Sequence, residues 1–169
     1  FYAEYDQEWR SPCELPAFEN KNRTQAPELV AWRPVPQTPP VDFSGLENAL
    51  ETTIHPDIVE YFSSFWSSTI EAKSIEGHAS LIQLWNQGDF DRLVENFIGH
   101  ALAKRQLKEP LTLFIATTEA DSEYFLSINN ATGAVLLEEP GRPPLRQVED
   151  SLETFLRRLT PSTSQPVVF

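Results

Sequence analysis

The sequence predicts an α+β fold, a single domain in which four or five helices pack on a mostly antiparallel or mixed central sheet of five or six strands. Segments with helical periodicity and segments with strand alternation follow one another without the regular strand–helix repeat of a parallel α/β fold. The chain has 169 residues, of which 40% are hydrophobic and 11% aromatic. That length supports one well-buried core, whereas two would each be marginal.

The N-terminal quarter of the chain is the least regular. Three aromatic residues at helical spacing predict an amphipathic helix over residues 1–10. Residues 11–44 hold seven of the fourteen prolines. Because proline lacks a backbone donor, this segment is predicted to be extended or looping, with one short strand at 29–33.

Two short helices are predicted next. Ser44 is followed three residues later by Glu47, a capping-box pattern that opens a helix over 45–53. Pro56 suits the first turn of a second helix, whose apolar residues then recur at helical spacing.

From residue 69 the hydrophobic period changes from helical to alternating. Strands are predicted at 70–75 and 79–85, separated by a Glu-Gly turn. The longest helix, over about 89–107, keeps the i, i+3, i+4 rhythm and ends before Pro110.

The C-terminal third is predicted to complete the sheet. The continuous apolar run at 111–117 is typical of a central strand. Segments 124–128 and 134–137 flank a turn-rich pentapeptide and predict a hairpin. A last helix is expected over 149–159, which ends the predicted domain, and residues 160–169 are expected to form a loose tail.

The chain is acidic, with 25 Asp and Glu against 13 Lys and Arg and a formal net charge of −12. This charge argues against nucleic acid as the main partner, because phosphate binding needs a basic face. It also argues against direct docking on anionic lipid, which attracts Lys and Arg clusters.

The charges are segregated along the sequence. Residues 34–91 hold nine acids and one base, and residues 109–141 hold six acids and no base, whereas residues 92–108 hold four bases and one acid. Such runs are often no more than solvated faces. The functional interpretation is a negative field that attracts a basic partner.

Nothing in the sequence predicts an enzyme, a cofactor or a metal site. The known nucleophile, zinc-protease and phosphate-loop patterns are absent. His55, His78 and His100 are far apart, which favours structural or hydrogen-bonding roles over metal binding. A single cysteine, Cys13, implies no intrachain disulfide, and no apolar run reaches membrane-spanning length, so a cytoplasmic location is expected.

Three features near the long helix admit two interpretations each. Asp89 and Asp91 stand at the helix start, where the helix dipole favours carboxylates as much as any acid–base chemistry would. Trp85 is either a surface aromatic beside these acids, suited to a Lys or Arg, or a core residue. Gly99 inside the helix indicates close packing against another element, or alternatively room for a partner.

Two adjacent motifs resemble the Syd family of bacterial SecY-interacting proteins. These are Glu-Asn-Phe-Ile-Gly-His at 95–100 and Leu-Thr-Leu-Phe-Ile-Ala-Thr at 111–117. Further matches in the same order are Trp32-Arg33-Pro34, the Pro56 helix with Tyr61-Phe62, Trp85 with Asp89-Phe90, and Asn129 to Val135. The resemblance covers about residues 29–159, and it extends to the SUKH superfamily of protein-binding and immunity proteins.

The resemblance implies a non-enzymatic binding protein without a cofactor, expected to be a monomer and to be held loosely at the cytoplasmic face of the inner membrane by the channel SecY. Its expected monomeric form would dock basic cytoplasmic loops of SecY in an acidic groove and so regulate or quality-control the translocase. Cytoplasmic loops of membrane proteins are enriched in Lys and Arg. Carried onto this sequence, the predicted contact residues are Tyr61, Trp85, Asp89, Asp91, Glu95, His100 and Glu119.

Two other functions remain open at this point. An immunity-type protein that sequesters a basic toxin would also be acidic, and the superfamily link favours it. A small hydrolase that uses carboxylates would require a deep pocket with two close acids, at least one of them with a raised pKa.

Overall fold

The computed structural model describes residues 10–12, 29–31, 33–119 and 122–162. The predicted N-terminal helix lies outside the described residues except for Arg10, which begins a strand. The helices are α1 (Ser44–Leu50), α2 (Pro56–Ser63), α3 (Gln87–Leu107) and α4 (Leu152–Arg157). The strands are β1 (Arg10–Pro12), β2 (Leu29–Ala31), β3 (Val35–Pro36), β4 (Phe65–Trp66), β5 (Ile70–Ser74), β6 (Gly77–Leu81), β7 (Thr112–Thr117), β8 (Phe125–Asn129), β9 (Val135–Glu138), β10 (Arg146–Glu149) and β11 (Thr160–Pro161).

Seven strands form one sheet in the order β10-β9-β8-β7-β6-β5-β11, and every neighbouring pair is antiparallel. The α+β prediction is confirmed, and β7 is the central strand, as its apolar run predicted. The sheet has one or two strands more than expected. The predicted strand at 29–33 pairs instead with β1, in a separate two-stranded sheet.

The two strands of the seven-stranded sheet that sequence reasoning missed, β10 and β11, lie at its edges. The predicted helix over 149–159 is shorter, because residues 146–149 form β10 and α4 begins after its N-cap Ser151. The predicted tail does not begin at residue 160: β11 pairs with β5, and the Ser162 N–H donates to the Glu71 carbonyl at 2.9 Å. The open edge of β5 offers unpaired backbone groups, and a strand as short as the two residues of β11 can pair with some of them.

The predicted capping box at α1 is wrong. The N-cap is Phe43, without a side-chain cap. The Asp42 carboxylate accepts the Ser44 N–H at 2.9 Å and the Ser44 hydroxyl at 2.8 Å. These two bonds, the backbone one first, hold the pKa of Asp42 below its usual value. Glu47 instead accepts the Ile54 N–H at 2.9 Å and so fixes the loop after the helix.

The strand predicted at 79–85 ends at Leu81, and only an isolated bridge joins Leu84 to Trp66. Helix α3 begins two residues earlier than predicted. Its N-cap Asn86 accepts the Asp89 N–H at 3.1 Å through its side chain. Trp85 therefore precedes a helix rather than ending a strand.

The core lies between the sheet and the buried stripe of α3. The Phe97 ring packs against Phe62 of α2, with centroids 5.9 Å apart, and against Phe114 of β7 at 4.7 Å. Gly99 lies on the opposite, exposed face, where an added Cβ would meet nothing within 4 Å. The prediction that Gly99 packs closely is therefore wrong. Among the described helices none is both long and apolar enough to cross a membrane.

Candidate functional site

A groove between α2 and α4 combines carboxylates with exposed aromatic surface. It encloses about 630 Å³. Asp57 and Glu60 of α2 face Glu153 of α4 across it, and among the described residues no Lys or Arg lines it. Tyr61 and Phe65 add aromatic rings, and Phe65 is 46% exposed. We call these five residues and the space between them the acidic groove.

Hydrogen bonds at its N-terminal end hold helix α2 in place. At its start His55 accepts the Asp57 N–H through Nδ1 at 3.2 Å, and Pro56 occupies the first turn. The His55 N–H donates to the Asn130 side chain at 2.9 Å, while the Asn130 amide donates to the Thr53 carbonyl at 2.9 Å. These bonds tie α2 to the turn between β8 and β9, so the carboxylates of α2 stand on a fixed support.

A buried glutamine positions the aromatic end of the groove. The Gln37 side-chain amide donates to the carbonyls of Phe62 at 2.8 Å and Phe65 at 3.2 Å, and its oxygen accepts the Val41 N–H at 3.0 Å. The proline-rich segment is thereby fastened to the end of α2. The short pairing of β3 with β4 follows from this, and it holds Phe65 at the surface.

On the α4 side, Glu153 pairs with Arg157 one turn later at 2.7 Å. Both side chains are more than 70% exposed. An exposed pair of this kind contributes little, about 0.3–0.5 kcal/mol. Glu153 is therefore available to a competing cation from a partner.

A second surface lies at the start of α3 and holds four of the predicted contact residues. We call it the α3-start patch, and its members are Trp85, Asp89, Asp91 and Glu95. Trp85 is half-buried and lines an open depression of about 560 Å³ together with Trp66. Phe65 lines the acidic groove and Trp66, its neighbour in β4, lines this depression together with Arg33, so the two surfaces lie on either side of that strand.

The acids of the α3-start patch differ in how far they are engaged. Asp89 accepts the Trp85 N–H at 2.9 Å and is ion-paired with Arg92, so the helix-capping interpretation describes its contacts. Asp91 accepts the Gln87 amide at 3.0 Å. Asp91 and Glu95 are both exposed and, being four residues apart on α3, share one face.

His100 lies farther along α3, away from these acids. Its Nε2 is 3.0 Å from the Thr112 hydroxyl, and its ring stands edge-on to Phe114 and Phe125, with centroids 5.8 Å apart in each case. Burial lowers the pKa of His100, while Glu138 opposes this and Lys104 adds to it. The other two histidines also have polar neighbours, since His55 caps α2 and His78 lies 3.1 Å from Glu71.

Glu119 lines a third depression, of about 290 Å³, on the face of the sheet opposite to α3. The other acid there, Glu76, is paired with Arg158 at 2.8 Å and with Arg146 at 3.5 Å, and Arg158 also reaches Glu149 at 3.0 Å. The protein's own arginines therefore balance this depression, which makes it a poorer receptor for a basic segment than the acidic groove.

The predicted contact residues thus fall on several surfaces. Tyr61 belongs to the acidic groove, four others form the α3-start patch, and His100 and Glu119 line separate depressions. Sequence reasoning missed Asp57, Glu60, Phe65 and Glu153. The carboxylates of α2 were visible as part of an acidic run, but nothing local indicated that α4 would face them. Within the described residues, no three His, Cys, Asp or Glu side chains are grouped so that they could hold a metal ion.

Comparison with known proteins tests the resemblance. The family model described as Syd protein (SUKH-2) matches residues 1–161. Protein Syd of Pseudoalteromonas atlantica strain T6c is 41% identical over 161 residues, which are 95% of this chain and 84% of that protein. Protein Syd of Alteromonas mediterranea is 37% identical over 157 residues, covering 93% of this chain and 83% of that protein. Protein Syd of Colwellia psychrerythraea strain 34H is 37% identical over 162 residues, or 94% of this chain and 80% of that protein.

The matched region contains both motifs that carried the resemblance, at 95–100 and 111–117, together with every helix and strand described above. The prediction of the family is confirmed, and the chain belongs to the Syd family.

Proposed function

We propose that this chain is a non-enzymatic binding protein that associates with Lys- and Arg-rich cytoplasmic loops of the translocation channel SecY and thereby regulates or quality-controls the translocase. The observation that carries the proposal is the acidic groove, where three carboxylates and two aromatic rings meet without a lining base among the described residues. Family membership supports the choice of SecY as the partner.

The chemistry of the groove suits a basic loop. Cytoplasmic loops of membrane proteins carry an excess of Lys and Arg, so they present cations at the surface where this protein would dock. Asp57, Glu60 and Glu153 supply the counter-charges. Tyr61 and the exposed ring of Phe65 offer faces for an ammonium or guanidinium group, and they cover the aliphatic part of its side chain.

The α3-start patch extends this surface. Asp91 and Glu95 add exposed negative charge on one helix face, and Trp85 adds aromatic surface in the depression beyond β4. A loop that crosses β4 from the acidic groove would meet these residues next. For His100 and Glu119 partner contact remains a prediction, since a partner that touched them as well would have to span further faces of the molecule.

The proposed location follows from the partner. A monomer of this chain would be held at the cytoplasmic face of the inner membrane by SecY, without a lipid-binding element of its own. The protein should then leave the membrane fraction when the ionic strength is raised, because salt shortens the Debye length from about 10 Å at 0.1 M to about 3 Å at 1 M.

The test uses two triple variants with the same change of net charge. One reverses the acidic groove, with Asp57→Lys, Glu60→Lys and Glu153→Lys. The matched control reverses three acids elsewhere, with Glu51→Lys, Glu109→Lys and Glu123→Lys. Each raises the net charge by six units, so a general loss of attraction would affect both equally.

Binding is measured by titrating each variant onto SecY in detergent or nanodiscs at 50 and 300 mM salt. We expect the groove variant to bind at least tenfold more weakly than the control at low salt. A third variant, Asp91→Lys with Glu95→Lys, should show an intermediate loss. Equal affinities of the groove variant and the control would refute the groove as the docking site, and no binding of the unaltered protein would refute SecY as the partner.

A further inference from the structure

An apolar pocket, separate from the acidic groove, lies between the second half of α3 and strands β7 to β9. Its volume is about 330 Å³. Ala103 and Leu107 of α3 form one wall, and the rings of Phe114 and Phe125 form the other. None of its lining residues also lines the acidic groove. The pocket is therefore separate from the acidic groove, although His100, a predicted contact residue, lies in its wall.

The pocket contains an ion pair where the helix pattern calls for an apolar residue. The buried stripe of α3 ends in Lys104, which is only 4% exposed. Its ammonium is paired with Glu138, which is fully buried and also accepts the Ser127 hydroxyl. A buried pair of this kind is often no more stabilising than apolar side chains of similar size. Net stabilisation therefore does not account for the pair, and Lys104 and Glu138 both line the pocket.

Lys104 has hydrogen-bonding capacity left for an occupant. An ammonium carries three N–H donors. Among the described residues, the only hydrogen bond that it donates goes to Glu138. The pocket thus has largely apolar walls and one donor group with N–H bonds still to offer. This is the composition of a small-molecule site, in which a few polar atoms fix the orientation of an otherwise apolar ligand.

The charges of the pocket select an uncharged occupant. Lys104 and Glu138 cancel each other, and at the rim Arg142 is paired with Glu139 at 3.4 Å. Burial lowers the pKa of His100, the remaining titratable group in the wall, and so favours its neutral form. A charged ligand would bring an unbalanced charge into this apolar space, and that costs free energy.

The volume sets the size of the occupant. An apolar cavity of about 150 Å³ holds benzene. A pocket of about 330 Å³ is roughly twice as large and suits two fused rings. The rings of Phe114 and Phe125, which line the pocket, are available for aromatic contact with such a ligand.

We propose that this pocket binds a small, uncharged, bicyclic aromatic molecule whose single hydrogen-bond acceptor takes an N–H from Lys104. The site is a ligand site in its own right and does not depend on SecY.

The proposal is tested on the full chain at pH 7.5 with three probes that share a fused two-ring frame. Quinoline has a ring nitrogen as acceptor, naphthalene has none, and 2-naphthoate adds a negative charge. Binding is followed by saturation-transfer NMR for the ligand and by amide shifts of residues in the pocket wall. We expect quinoline to bind, naphthalene to bind about three- to tenfold more weakly, and 2-naphthoate to bind at least tenfold more weakly.

Two tryptophan variants separate the pocket from general hydrophobic binding. Ala103→Trp fills the pocket from an exposed helix position, whereas Ala49→Trp adds the same ring at an exposed position of α1. We expect the first to abolish quinoline binding and the second to leave it unchanged. The double variant Lys104→Met with Glu138→Met should bind quinoline and naphthalene equally, an outcome that a merely structural role of the pair does not predict.

Three results would overturn the proposal. One is the absence of amide shifts in the pocket at millimolar quinoline, and another is unchanged quinoline binding by Ala103→Trp. The third is a shift of the same amides on addition of a SecY loop peptide but not of quinoline, which would assign the pocket to a side chain of a protein partner.

Discussion

The ion pair between Lys104 and Glu138 allows a sharp test of how the core is stabilised. Replacing Lys104 by Met keeps the length and most of the volume of the side chain but removes its charge. Glu138 is then left fully buried, and among the described residues only the Ser127 hydroxyl still donates a hydrogen bond to its carboxylate. Breaking a buried pair in this way costs about 3–5 kcal/mol, because one charge remains unpaired.

That loss is large against the total. Domains of this size have a free energy of unfolding of about 5–15 kcal/mol. For a domain of 150–250 residues, 1 kcal/mol shifts Tm by about 2–4 °C. The Lys104→Met variant should therefore melt roughly 6–20 °C below the unaltered protein.

The double variant Lys104→Met with Glu138→Met serves as the comparison, because it removes both charges. Its stability should return to within about 1 kcal/mol of the unaltered protein or exceed it. Urea unfolding followed by tryptophan fluorescence and by far-UV circular dichroism gives the free energies, and a double-mutant cycle isolates the coupling. A loss under about 1 kcal/mol for Lys104→Met, or a double variant as unstable as the single one, would refute the reasoning.

Three further predictions concern single residues. Burial lowers the pKa of His100 below the ordinary 6.5, so below that pH the unfolded chain takes up a proton that the folded chain does not. The free energy of unfolding should therefore fall as the pH drops below about 6.5. Urea midpoints measured between pH 8 and 5 should show this fall, and the fall should be smaller in His100→Gln. Gly133 has a φ of +77°, and a Cβ there would lie 2.8 Å from the His55 ring, so Gly133→Ala should lower the free energy of unfolding by more than about 1 kcal/mol in the same assay; an unchanged midpoint would contradict this. Gly99 meets open space on a helix face, so Gly99→Ala should stabilise the protein by about 0.8–1 kcal/mol, and a thermal melt showing destabilisation would contradict the exposed position.

The long helix and the central hairpin illustrate what can be read from contiguous residues. The limits of α3 were predicted to within two residues, because its apolar spacing and the breaker at Pro110 lie within one segment. Strand β7 and the β8–β9 hairpin were predicted for the same reason. Capping was less predictable, since Asp42 accepts the Ser44 N–H that Glu47 would accept in a capping box, and only the folded geometry decides which carboxylate does so.

The candidate site, too, could be predicted from the sequence only in part. Negative charge, the aromatic residues and the family motifs are properties of the sequence and could be found there. That Asp57 and Glu60 face Glu153 could not be found there, because these residues are more than ninety positions apart and are brought together only when the fold places α2 and α4 on opposite sides of the groove.

By itself, the sequence determined the fold class, the family and the acidic character of this protein, because hydrophobic periodicity, motif order and composition are carried by the order of residues. The tertiary structure alone decided which carboxylates remain open to a partner and which are balanced by Arg146 and Arg158. It also placed Lys104 inside the core and the short strands β10 and β11 at the edges of the sheet. The physical reason is that ion pairing, burial and edge pairing depend on distances in space between residues that are remote in the chain.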